Sequence, residues 1–155
     1  MRIAVLAAAI IALLAPSVAG AKDVAPWATV NVCDTAKRPD AIGIRASMPG
    51  VPKGARMAMR FRVQFKTGDE WQDVKGAASR WQPVGTARGV AAESGWSFTF
   101  AHPNSPVMLR GMVQVRWRKG ATVLKQIELP TEAGHRSSAG ADPADYSAMT
   151  CTLGS

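Results

Sequence analysis

Cations recur at every second position in two stretches of this sequence. In RMAMRFRVQFK, residues 56–66, Arg56, Arg60, Arg62 and Lys66 alternate with Met57, Met59, Phe61, Val63 and Phe65. In LRGMVQVRWR, residues 109–118, Arg110, Arg116 and Arg118 alternate with Leu109, Gly111, Val113, Val115 and Trp117. A guanidinium is a planar fork of donors that stays charged at any physiological pH. It matches phosphate and carboxylate oxygens two at a time. A row of such groups collects anions by long-range attraction, most strongly at low salt. The same row also serves a plainer purpose, since exposed sheet faces and edges use charge for solubility and against aggregation. The sequence leaves both readings standing.

Other chemistries find fewer residues. The histidines are His102 and His135. Glu132, His135 and Ser137 or Ser138 could compose a Ser/His/acid set in the segment 130–145. That set would make the protein a small secreted envelope hydrolase, the second reading of function. A nucleophile and its base need a scaffold that holds them within hydrogen-bond reach. The segment has no period, and no G-x-S-x-G elbow occurs. Asp69, Glu70 and Asp73 cluster around a hairpin turn, where carboxylates are ordinarily solvated rather than paired across a cleft. Met57 and Met59 could offer thioethers to a soft metal, but they share a row with Phe61, Val63 and Phe65, which reads as core. No alternating-Asp calcium loop is present. No catalytic residue, no metal ligand and no cofactor is therefore expected. Of the five tryptophans, parity buries Trp96 and Trp117. Trp71 and Trp81 lie near turns and could stack on sugar rings.

These residues must be positioned by strands. Successive strand side chains point to opposite faces, so the strict alternation of 56–66 and 109–118 predicts two half-buried strands. The segment 118–121 turns the chain, and 121–127 returns as a hairpin partner. Shorter strands are expected at 27–33, 42–48, 71–74, 81–84, 96–100 and 146–153. Turn signals fall at Arg38-Pro39-Asp40, Met48-Pro49-Gly50, Thr67-Gly68-Asp69 and His102-Pro103-Asn104. The segment 85–95 is the one place where a helical turn is expected. Segment 130–145 is longer than an ordinary connection, and is either a functional loop or a mobile one. About seven to nine short strands predict an all-β antiparallel β-sandwich, with a small barrel as the alternative.

The chain opens MRIAVLAAAIIALLAPSVAGAKD. A positive Arg2, an apolar run from Ile3 to Leu14 and the small residues Ala19-Gly20-Ala21 have the layout of a secretory signal peptide. Cleavage is expected after Ala21, or after Ala19. Residues 22–155 then form one domain, with no further segment long enough to span a membrane. The formal net charge of +8 falls by one when the leader takes Arg2 with it. In an exported protein the two cysteines, Cys33 and Cys151, are expected to form a disulfide joining the first strand to the last. In the chain-entropy model such a closure is worth on the order of 4–5 kcal/mol.

The passage WSFTF at 96–100, followed by Pro106 and LRGMVQVRW at 109–117, resembles the E–F passage of immunoglobulin-like and fibronectin type III-like domains. With the leader, the Ala/Arg/Gly-rich usage and a cysteine near each end, the chain resembles the small secreted immunoglobulin-like proteins of GC-rich actinobacteria. The resemblance implies a sandwich in which the two arginine-bearing strands are neighbours in one sheet. Arg56, Arg60, Arg62, Lys66, Arg110, Arg116 and Arg118 would then merge into one basic plate, poor in acid. The resemblance implies no activity by itself. The expected protein is a secreted, non-catalytic binding or structural module at the cell-envelope surface. Its expected partner is anionic cell-wall polymer or another envelope protein. A specific nucleic-acid site is not expected, because no reader motif accompanies the charge.

Overall fold

Alternation in the sequence becomes nine strands and, among the described residues, no helix. The computed structural model describes residues 24–154. The leader and both cleavage positions lie outside the described residues. The strands are β1 (Trp27–Thr35), β2 (Arg38–Met48), β3 (Arg56–Thr67), β4 (Glu70–Ala78), β5 (Gln82–Thr86), β6 (Ala92–Thr99), β7 (Val107–Lys119), β8 (Thr122–Pro130) and β9 (Cys151–Leu153). They form an all-β antiparallel sandwich. One sheet has the order β1-β2-β6. The other runs β4-β3-β7-β8, with β5 also on β3 and β9 also on β7. The two long strands explain this layout. β3 lends its outer edge first to β5 and then to β4, and β7 lends its own to β9 and β8. The second sheet is thus four strands wide at any height.

The inward rows meet in one core. Met57, Met59, Phe61 and Val63 of β3 and Leu109, Val113, Val115 and Trp117 of β7 pack with Ala28, Val30, Ile42, Ile44, Ala46 and Met48 of the other sheet. Each large apolar side chain so buried contributes about 1.5–3 kcal/mol. Both methionines are core residues, as their row implies. Trp117 satisfies its indole N–H by donating to the Pro49 carbonyl at 3.0 Å. Gly111 marks the closest approach of the sheets. A Cβ built there would lie 2.7 Å from both Ile44 Cδ1 and Thr131 Cγ2.

A register shift between Val30 and Val32 sets the disulfide. Unbroken alternation from Ala28 and Val30 would turn Cys33 away from the core. The extra residue reverses parity. Cys33 then pairs with the core residue Ile42, and Val32 pairs with Gly43. Cys33 thereby meets Cys151 of β9, with the two Cα atoms 5.3 Å apart. The expected link between the first strand and the last is present.

Three local expectations are corrected. Arg38-Pro39-Asp40 is not a turn. The reversal occurs at Ala36-Lys37, and Asp34 Oδ1 accepts the Asp40 N–H at 2.8 Å, which lets β2 begin at Arg38. The segment 85–95 holds no helical turn. It carries the chain from β5 to β6 and is tied down by Ala87 N–H to the Ala55 carbonyl and Gly89 N–H to the Gly50 carbonyl, each at 2.8 Å. Only Cys151–Leu153 of the expected last strand is a strand. The segment 130–145 is tied to β1 by its backbone. The Glu132 and Asp142 N–H groups donate to the Ala28 and Asn31 carbonyls at 2.8 and 2.9 Å, and Ala148 exchanges two bonds with Val30. Together they cover the free edge of β1, which would otherwise invite pairing with another chain.

Candidate functional site

β3 and β7 pair without interruption from Arg56 opposite Arg118 to Phe65 opposite Leu109. Directly paired antiparallel residues share a face. The outward rows therefore stack Arg56 with Arg118, Ala58 with Arg116, Arg60 with Gln114, Arg62 with Met112 and Gln64 with Arg110. Lys66 ends the array, opposite Trp71 of β4. All seven cations lie on these two adjacent strands; Lys66 is exposed at the end of the array, and the surroundings of the six arginines divide them into two groups.

In the first group Arg62 is neutralised within the sheet, and Arg60 and Arg110 are held by neutral acceptors. Arg62 donates through Nη1 to Asp73 of β4 and through Nη2 to Glu128 of β8. Each carboxylate is held in turn by an amide: Gln64 donates to Asp73 Oδ1 at 2.9 Å, and Gln114 to Glu128 Oε2 at 2.7 Å. Arg110 donates Nε–H to Gln64 Oε1 at 2.9 Å and lies over the Trp71 ring, 4.4 Å from its centroid. Arg60 donates to the Ser79 carbonyl at 3.2 Å. Burial, and secondarily the charge of Arg62, holds the Arg110 pKa below the ordinary arginine value. The expectation of an acid-poor plate is therefore wrong here. It considered β3 and β7 alone, and the acids arrive from the strands that flank them.

The second group has no such partner. Arg116 lies over the Trp81 ring, 3.8 Å from its centroid. Arg118 donates Nη2 to the Ala121 carbonyl at 3.1 Å. The Nε atoms of Arg116 and Arg118 are buried and unpartnered, as is that of Arg62. Among the described residues, Arg56 and Arg116 make no side-chain hydrogen bond and none of the three makes an ion pair. The residues facing them across the flanking strands are Thr86 and Pro83 of β5 and Gln126 and Val123 of β8, all uncharged. Arg56, Arg116 and Arg118, with Trp81, Pro83 and Gly120, line a cleft of ≈ 240 Å³. Burial first, and the adjacent Arg118 charge second, holds the Arg116 pKa below its usual value. It remains a cation in water at neutral pH.

The other candidates are placed as follows. Trp71 and Trp81 are half-buried beneath arginines, so their rings are not open stacking platforms. Trp117 is core. Trp96 pairs with the core residue Ile44 yet is 44% exposed, because β6 is the open edge of its sheet and parity alone does not cover an edge. Trp96 lines a shallow hollow of ≈ 350 Å³ with Arg38, Arg45 and the 139–140 segment, and Arg45 is engaged by Glu93 at 3.4 Å. Glu132 and His135 do meet, with Nε2 and Oε1 2.9 Å apart. The imidazole lies flat on Trp27, with centroids 4.2 Å apart. No hydrogen bond joins it to Ser137 or Ser138 among the described residues, and the buried Ser138 hydroxyl has no partner. His102 is paired with Asp40 at 2.8 Å. Among the described residues no group of three or more His, Cys, Asp or Glu converges on a metal position.

Sequence reasoning missed Asp73 and Glu128, and a signal for one of them was present. The turn at Gly120-Ala121 was legible, and counting back along the hairpin from it brings Glu128 close to Gln114. Compared with known proteins, the chain matches no family model, no curated protein and no solved structure.

Proposed function

We propose that this protein is a secreted, non-catalytic binding or structural module of immunoglobulin-like, fibronectin type III-like build that engages anionic polymer of the cell envelope through the outward face of β3 and β7. The reading is carried by one observation. Arg56 stands directly opposite Arg118, with Arg116 in the next row, and no carboxylate neutralises them. Like charges placed directly across strands are destabilising, so a face that retains them without an acid is suited to an external anion. The disulfide supports export, since such bonds persist in oxidising compartments. Among the described residues no helix is long and apolar enough to cross a membrane. The sheet orders, three strands facing four, support the immunoglobulin-like build.

The test is cosedimentation of the protein with its own host's purified cell wall at about 20 mM and about 500 mM salt, a change in Debye length from roughly 20 Å to roughly 4 Å. Retention at low salt that is lost at high salt is expected. Retention that survives high salt, or none at either, would overturn the reading.

A further inference from the structure

We infer that the cleft between Arg56, Arg116 and Arg118 is a discrete site for one tetrahedral oxyanion, a phosphate or sulfate ester, an inference that rests on the reading above and names the group the polymer presents. The first argument is electrostatic. Three arginines stand on two consecutive rows and line one cleft, and the paired positions on both flanking strands are neutral. Two rows further along the same pair of strands, Arg62 meets two carboxylates of this sheet. No carboxylate of the flanking strands balances the charge at the cleft.

The second argument is preorganisation. Trp81 stacks on the Arg116 guanidinium, and the Ala121 carbonyl holds Arg118 by one nitrogen. Two of the three side chains are therefore already ordered, which lowers the entropic cost of binding. The third argument is stoichiometry of donors and acceptors. A carboxylate offers two oxygens in one plane, which a single guanidinium fork can engage together. Three forks approaching from two strands match a group with three acceptor oxygens, as a phosphoryl or sulfuryl ester presents. The volume, ≈ 240 Å³, lies below the usual range for a whole small-molecule ligand, about 300–1,000 Å³. The cleft fits one charged group on a longer chain better than a complete sugar residue.

The experiment is isothermal titration at low ionic strength with inorganic phosphate, inorganic sulfate and acetate. The proteins are the wild type, Arg56→Gln, Arg118→Gln and Lys37→Gln. Lys37 lies on the exposed β1–β2 turn, so its variant matches the charge change away from the face. Phosphate and sulfate should bind the wild type and Lys37→Gln alike. Each of the other two variants should weaken binding about tenfold or more, the effect of one lost charge-assisted hydrogen-bonding group. Acetate should bind more weakly than either. Equal affinity for acetate and phosphate, or equal effects of Lys37→Gln and Arg118→Gln, would overturn the inference. Melting temperatures of the variants report that each is folded. Linear polyphosphate and dextran sulfate then separate the two ester sources, with poly-glutamate as the carboxylate polymer. Salt-sensitive wall retention without preference for tetrahedral anions would sink this site and leave the broader reading intact. Absence of wall retention would sink the broader reading itself.

Discussion

Arg62 and Arg118 sit on the same face of the same sheet, on strands that pair directly, and differ in what flanks them. Arg62 lies between Asp73 and Glu128, whose other oxygens are held by Gln64 and Gln114. Arg118 faces Arg56 across one strand gap and Val123 across the other. The first is part of a network of donors and acceptors that joins side chains of four strands, although its own Nε is left without a partner. The second has a carbonyl for one nitrogen and a second cation for a neighbour. Net charge on a surface is thus a poor measure of charge available to a ligand. Availability is decided by the strand one position further out. Two acids, each a single side chain on β4 or β8, tie up Arg62 in contacts within the sheet.

The contrast can be broken by substitution, and the largest effect should be on binding. The double variant Arg56→Gln/Arg118→Gln should lose about a hundredfold in affinity for linear polyphosphate by titration calorimetry. The same two-charge change at Arg60 and Arg62 should cost far less. Next in size is a stability effect at the neutralised end. Arg62→Met removes both ion pairs and leaves Asp73 and Glu128 facing each other without a cation. It should cost about 1–2 kcal/mol, discounted for the exposure of both carboxylates, and lower the melting midpoint by roughly 3–8 °C. Part of that cost should vanish in high salt, which screens the exposed partners. Trp81→Leu keeps apolar cover while removing the stacking surface for Arg116. Polyphosphate affinity should fall roughly two- to tenfold, the range for a cation–π contact. The smallest effect has the opposite sign to that of Arg62→Met. Arg118→Gln, measured without ligand, should raise stability by about 0.2–1 kcal/mol by relieving the cross-strand repulsion with Arg56. A loss of stability there would mean that the two ends do not differ as described.

Much of this division was legible in the sequence, but not the part that decides it. The alternation in 56–66 and 109–118 fixes which residues face out, and the structure follows it position by position. The hairpin turn and the antiparallel sandwich follow from the same local rules, and the disulfide from an even pair of cysteines behind an export leader. What alternation does not carry is register between strands distant in sequence. Asp73 reads as a solvated turn acid until β4 is seen to run back along β3 and place it opposite Gln64. Cys33 reads as outward-facing until the irregularity after Val30 reverses its side, since a single extra residue exchanges the two faces of a strand. Trp96 shows a related gap, because it has the parity of a core residue and the position of an edge. Segment 130–145 has no period because its contribution is made by backbone groups, Glu132 and Asp142 among them, and any sequence can offer those.

The most direct measurement turns one end of the face into the other. Gln126 of β8 stands opposite Arg116, in the position that Glu128 holds opposite Gln114. Thermal midpoints of Gln126→Glu and wild type should be recorded across a titration with linear polyphosphate. A ligand at a hundred times its dissociation constant adds about 2.7 kcal/mol to a protein that binds it only when folded. The wild type should therefore melt progressively higher. Gln126→Glu should start above the wild type without ligand and then fail to rise, its new carboxylate having taken the place of the anion. A ligand-dependent rise as large as that of the wild type would contradict the claim that Arg56, Arg116 and Arg118 are the unneutralised end of this face.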